Sequence, residues 1–148
     1  MTVPTLERSA LLAFSSDELY RLVGDIEAYP QFLPGCVSAQ VEHAEATRVR
    51  ARLGFRVKGL ADSFATENRL EQGSRIEMTL VDGPFRKLSG AWEFSPLAEY
   101  ACKVTLRVSV DFGNRMLEGT LSPWVGRAVS HIIDAFRQRA QELYGVRG

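Results

Sequence analysis

Hydrophobic and polar positions alternate through most of this chain, and the period changes only near its two ends. After Gly35 the period is two. Val37, Ala39 and Val41 alternate with Ser38, Gln40 and Glu42, and Val49, Ala51, Leu53, Phe55 and Val57 alternate with arginines, Gly54 and Lys58. Residues 60–70 alternate more weakly, with Phe64 as their large inward side chain. Ile76, Met78 and Leu80 form the next set, followed by Leu88, Gly90, Trp92 and Phe94. The cleanest run is Val104, Leu106, Val108, Val110 and Phe112 against Lys103, Thr105, Arg107, Ser109 and Asp111. Successive side chains of a strand point to opposite faces, so this pattern predicts strands with one apolar and one wet face. Glu71-Gln72-Gly73-Ser74 and Ala98-Glu99-Tyr100 suit hairpin links. With a first strand over residues 5–14, the expectation is a mostly antiparallel sheet of about seven strands.

The two ends read as helical. Ser15-Ser16-Asp17 offers caps, with Glu18 in the first turn, and Leu19, Leu22 and Val23 have helical spacing up to about Gly24. A second short helical turn is expected over residues 25–28. Toward the C-terminus, Ser122-Pro123 reads as an N-cap followed by proline at the first helical position. Val125, Val129, Ile132, Ile133, Phe136, Ala140 and Leu143 keep helical periodicity, and Gly145 is a stop signal. About 22 residues at 1.5 Å each give roughly 33 Å, long enough to cross such a sheet. Gly119, Pro123 and Gly126 predict a break or bend at the front of this helix.

Between the helical start and the strands lies Asp25-Ile26-Glu27-Ala28-Tyr29-Pro30-Gln31-Phe32-Leu33-Pro34-Gly35-Cys36. Pro30 and Pro34 disfavour helix for the residue before each, which predicts a short, stiff, irregular connection. Tyr29, Phe32 and Leu33 on it must cover something apolar, as a lid or cavity wall. A second block, Leu80-Val81-Asp82-Gly83-Pro84-Phe85, joins a turn signal to apolar residues. Through Tyr-Pro-Gln-Phe-Leu-Pro-Gly-Cys and Leu-Val-Asp-Gly-Pro-Phe, the chain resembles the family of bacterial ribosome association toxins and mitochondrial coenzyme Q-binding proteins, in the START-like, polyketide cyclase-like superfamily. The resemblance spans residues 6–144. It implies an α+β helix-grip fold: a curved antiparallel sheet of about seven strands around a long C-terminal helix, with two short helices after strand 1. The family typically continues a helix through the region of Gly119 and Pro123.

Composition narrows the function. The 148 residues suit a single domain over residues 1–148, with 45% apolar and 24% charged positions. The formal net charge is zero, which disfavours nucleic-acid binding through bulk charge. Cys36 and Cys102 form no C-x-x-C motif, which fits reduced thiols and a cytoplasmic setting. No signal peptide is expected from Met1-Thr2-Val3-Pro4, and no apolar run reaches the ~20 residues of a membrane span. Catalytic signals are lacking. His43 and His131 have no metal-ligand spacing, there is no G-x-S-x-G and no phosphate-binding glycine loop, and Asp82 reads as a turn residue. No catalytic residue, metal or required cofactor is therefore expected.

What remains is apolar surface and one basic stripe. The candidate cavity lining is Tyr29, Phe32, Leu33, Phe55 and Phe64, with Met78, Phe85, Trp92 and Phe136; singly, each also reads as core. Asn68 shares the parity of Phe64 and Leu70, where its amide could meet a ligand carbonyl, a backbone group or water. Arg48, Arg50, Arg52, Arg56 and Lys58 share outward parity and, with Lys103 and Arg107, suggest either a solvated face or contact with ribosomal RNA or an anionic membrane surface. Two functions follow from the resemblance. The first is non-enzymatic binding of a hydrophobic small molecule, with ubiquinone or a related isoprenoid lipid leading, in support of respiratory electron transfer. The alternative is a ribosome association toxin that binds the large ribosomal subunit and blocks subunit joining, with an antitoxin as a candidate partner. A polyketide cyclase has the superfamily fold behind it but no matching acid–base constellation.

Overall fold

Ser15 opens the first helix with a reciprocal cap. Its hydroxyl accepts from the Glu18 N–H at 3.1 Å, and the Glu18 carboxylate accepts from the Ser15 N–H at 2.9 Å. Such a box satisfies two otherwise orphaned donors and fixes where the chain leaves the sheet. The computed structural model describes residues 5–57 and 60–146. Seven strands form one antiparallel sheet: β1 (Thr5–Leu12), β2 (Cys36–Ala44), β3 (Arg48–Val57), β4 (Leu60–Glu71), β5 (Arg75–Asp82), β6 (Lys87–Ala98) and β7 (Ala101–Asp111). Their order is β1-β7-β6-β5-β4-β3-β2, so β2 to β7 meander while β1 pairs with β7 at the far edge. Helix α1 (Ser16–Gly24) and a 3-10 helix (Ile26–Gln31) carry the chain from one edge to the other, and α2 (Arg115–Tyr144) lies over the inner face. This is the expected helix-grip architecture.

The core sits between α2, the short helices and the inner face of the sheet. Val125, Val129, Ile133, Phe136 and Ala140 of α2 are buried at helical spacing. Phe136 is the hub: its ring meets Trp92 and Phe32 at 5.1 Å and Tyr29 at 5.5 Å, all edge-on. Edge-to-face packing is the favoured arrangement of aromatic quadrupoles. Phe136 is buried, as the helical periodicity predicts, and Arg50 exposed, as the strand alternation predicts.

Four local expectations are corrected. Strand β1 stops at Leu12, and Phe14 turns into the core against Tyr144 at 6.1 Å. The second helical turn does not stop at Ala28. It continues to Gln31 with Pro30 inside, because a tight turn accommodates the fixed φ of proline. Helix α2 begins at Arg115, not at Ser122, and runs through Pro123. A proline removes one donor, whereas the buried seam that follows holds the helix to the sheet. Leu143 is exposed, and Tyr144 is the half-buried residue of that last turn.

Candidate functional site

Period-two alternation delivers more inward side chains than the core uses. Leu53, Phe64, Met78, Leu88, Val108 and Ile132 all face the inside yet are only half-buried, because the space beside them is unfilled. They line an inner chamber of about 190 Å³ that also reaches Leu33, Trp92 and Phe136. Gly90 helps to create it. A Cβ there would sit 2.7 Å from the Arg107 carbonyl oxygen and 3.2 Å from the Met78 methyl, so this position must stay bare.

An outer chamber of about 300 Å³ adjoins the inner one. Ile26, Tyr29, Asn68, Met78 and Trp92 line both and form the neck. The outer chamber reaches Tyr20, Arg21 and Gly24 of α1 and Gln72 of the β4–β5 turn. Near the inner chamber, Phe64 belongs to an aromatic cluster with Phe55 and Phe85, and Phe85 in turn meets Phe112 at 5.7 Å. Gly83, at φ 155°, lets the β5–β6 turn lie directly on Phe64, where a Cβ would come within 2.6 Å of the Phe64 Cβ.

The polar content of the neck is small and defined. Asn68 and Thr66 are each 7% exposed, and the Thr66 hydroxyl donates to the Asn68 carbonyl oxygen at 2.8 Å. Asn68 lines both chambers, and among the described residues no hydrogen bond runs from its amide nitrogen. The Tyr29 hydroxyl donates to the Val23 carbonyl oxygen. Burial, with smaller contributions from Cys36 and Asp25, pushes its pKa well above the ordinary tyrosine value. No Asp, Glu, His or Cys occurs in the described lining.

The proline-bracketed segment forms one wall. Tyr29 and Leu33 line the chambers, whereas Phe32 stands behind them on Phe136. Arg139 of α2 fastens the segment, with its guanidinium 5.3 Å over the Phe32 ring and donating to the Gln31 side-chain oxygen at 2.9 Å. Of the candidate lining, Phe32, Phe55 and Phe85 are outside the chamber walls, and Tyr29, Leu33, Phe64, Asn68, Met78, Trp92 and Phe136 are in them. Sequence reading missed Ile26, Thr66, Gly90 and Val108 as lining. The last three carry the inward parity that would have flagged them; Arg21 and Gln72 carry no such signal.

The outer face of the sheet is charged and largely interlocked. Arg52 bonds Asp82 at 2.8 Å and Glu42 at 3.2 Å, and Arg107 pairs with Glu7 and Glu93. Arg48 lies 4.0 Å from Glu67. Arg50 and Arg56 are exposed with no ion pair among the described residues. Lys58 lies outside the described residues. The continuous basic stripe is thus broken by acids at Arg52 and Arg107. His43 is at the surface beside Glu45 at 3.3 Å, and Cys36 is half-buried with its thiol pKa raised by burial. Among the described residues, no group of three His, Cys, Asp or Glu could hold a metal, and no helix is long and apolar enough to cross a membrane.

Comparison with known proteins agrees with this architecture. Residues 12–137 match the family described as polyketide cyclase/dehydrase and lipid transport. The ribosome association toxin RatA of Pseudomonas aeruginosa is 41% identical, over 95% of this chain and 97% of its own. RatA of Vibrio cholerae is 42% identical, over 95% of this chain and 97% of its own. A mitochondrial coenzyme Q-binding protein homolog B from Xenopus laevis is 25% identical, over 93% of this chain and 58% of its own. The solved structure of an aromatase/cyclase from a Streptomyces species superposes with a TM-score of 0.85 at 15% identity, over 94% of each chain; this shows the fold alone. An 18 kDa protein from Caulobacter crescentus gives 0.80 at 29% identity, over 97% of this chain and 99% of its own. The chain belongs to the family that unites the RatA toxins with the coenzyme Q-binding proteins, within the polyketide cyclase and START-like superfamily.

Proposed function

We propose that this chain acts as a ribosome association toxin, binding the large ribosomal subunit and keeping it from joining the small one. The observation that carries this reading is the full-length similarity to two RatA proteins at 41% and 42% identity, against 25% for the coenzyme Q-binding relative. The exposed Arg50 and Arg56 on the outer face supply phosphate contacts not already spent on carboxylates. The test is a sucrose-gradient profile of ribosomes with added protein. The expected result is loss of joined ribosomes and a matching rise in free subunits; an unchanged profile at excess protein rejects the reading.

The two-chambered cavity favours a second, compatible reading: non-enzymatic binding of a hydrophobic small molecule, of which ubiquinone or a related isoprenoid is one class. Apolar walls with a few convergent polar groups are the usual form of a ligand site. Each methylene buried there contributes about 0.8 kcal/mol. The absence of titratable carboxylates, thiols and imidazoles from the described lining supports binding rather than turnover. Mass spectrometry of the native protein tests it. A bound apolar molecule that is lost when the inner chamber is filled is the expected result.

A further inference from the structure

We infer that the cavity is built for an anionic single-chain amphiphile of the fatty-acid class, with its hydrocarbon in the inner chamber and its acidic head in the outer one. This rests on the ligand-binding reading above and adds the chemical class and the placement of the ligand's two ends. The two chambers differ in kind. The inner one is walled mainly by aliphatic and aromatic side chains, with Thr66, Asn68 and Ser89 as its polar members, and has the Phe55, Phe85 and Phe112 rings beyond Phe64. It suits a hydrocarbon arm, which needs no polar partner. The outer one carries the only formal charge in the described lining of either chamber, the Arg21 guanidinium, together with the Gln72 amide.

Arg21 is exposed and makes no ion pair among the described residues, so its charge is not already neutralised by a carboxylate. Its neighbours along the chain, Asp17 and Asp25, are not part of the chamber wall, and neither is Glu71. A second, independent donor points the same way. Asn68 is more than nine-tenths buried, its carbonyl oxygen is taken by Thr66, and its N–H donors are left for whatever enters the neck. With its oxygen held by Thr66, the Asn68 amide can donate to an oxygen that enters the neck. An anion therefore meets a cation nearer solvent and an unused amide deeper in, while its chain continues past Trp92 into the apolar chamber. A neutral isoprenoid would use the walls and leave Arg21 without a role.

The experiment is a calorimetric titration of the full chain with decanoate and with decanol, which share a chain and differ in the charge of the head. Decanoate is expected to bind about tenfold more tightly, the scale of one charge-assisted hydrogen bond at a partly exposed site. Arg21→Gln should erase that preference by weakening decanoate binding far more than decanol binding, and Arg21→Lys should keep most of it. Val108→Phe, which fills the inner chamber, should lose both ligands; thermal melts of each variant check that the fold is kept. Equal affinity for the two ligands, or a preference that survives Arg21→Gln, overturns the acid class and leaves the cavity reading standing. Binding of neither ligand, or undiminished binding to a folded Val108→Phe protein, overturns the inference together with the cavity reading on which it rests.

Discussion

The two faces of one sheet have been given opposite chemistry by alternate residues of the same strands. On β3, Ala51, Leu53 and Phe55 lie on the inner face of the sheet, while Arg50, Arg52 and Arg56 lie on the outer one. The inner face is apolar and incompletely filled, with two chambers meeting at Tyr29, Asn68 and Trp92. The outer face is polar and mostly satisfied, its arginines paired with Glu7, Glu42, Asp82 and Glu93. The difference separates two kinds of recognition physically. On the proposed reading, a ligand would be recognised by volume and a few amide contacts, and ribosomal RNA by the charges left unpaired. A single layer of backbone stands between them, so substitutions on one face should leave the other working.

The largest effect is expected at the hub of the inner face. Phe136→Ala removes the ring that Trp92, Phe32 and Tyr29 pack against and should cost about 3–5 kcal/mol in urea denaturation. A cost under about 1 kcal/mol would mean that the core lies elsewhere. Alkaline pH probes the same region through Tyr29. Its pKa is raised in the folded state above the ordinary value of 10.0, so the unfolded chain releases that proton first. The stabilisation is complete below pH 10.0 and is lost as pH climbs toward the folded value, with a slope of up to about 1.4 kcal/mol per pH unit. Tyr29→Phe should therefore flatten the alkaline loss of stability, and an unchanged slope would place the titrating group elsewhere.

Outer-face changes should be smaller in stability and confined to macromolecular binding. Arg50→Glu with Arg56→Glu should alter stability by less than about 0.5 kcal/mol. The same pair should weaken ribosomal-subunit binding at all salt concentrations and lower the salt dependence by about two phosphate contacts. Arg52→Ala should affect stability alone. It breaks two half-exposed ion pairs, so a loss well below that of Phe136→Ala is expected by thermal melting. A larger loss would show that the outer network, and not only the inner seam, holds the sheet together.

Much of this comparison was legible in the chain before its fold was known. Strict alternation in β3 and β7 assigned the faces because a one-residue slip would expose every apolar side chain. Asn68 was legible by parity with Phe64 and Leu70. What the sequence concealed depends on long-range packing. Phe55 and Phe85 read as lining, yet the rings of Phe64 and Phe112 draw them into a cluster outside the walls. Arg21 lies in the last turn of α1, where it reads as an ordinary dipole partner until α1 is set against the β4–β5 turn. Pro123 carried the wrong message about α2, because local propensity gave no weight to the buried residues that follow it. Arg52 read as one more free cation because Asp82, thirty positions away, could not be placed beside it.

The separation of the two faces is tested most directly by sedimenting ribosomes with three forms of this protein: unaltered, Arg50→Glu with Arg56→Glu, and Val108→Phe. The unaltered and Val108→Phe proteins should both sediment with the large subunit and reduce the joined-ribosome peak, while the double reversal should do neither. If the double reversal acts like the unaltered protein, or filling the inner chamber abolishes ribosome binding in a folded protein, the division of labour between the two faces is wrong.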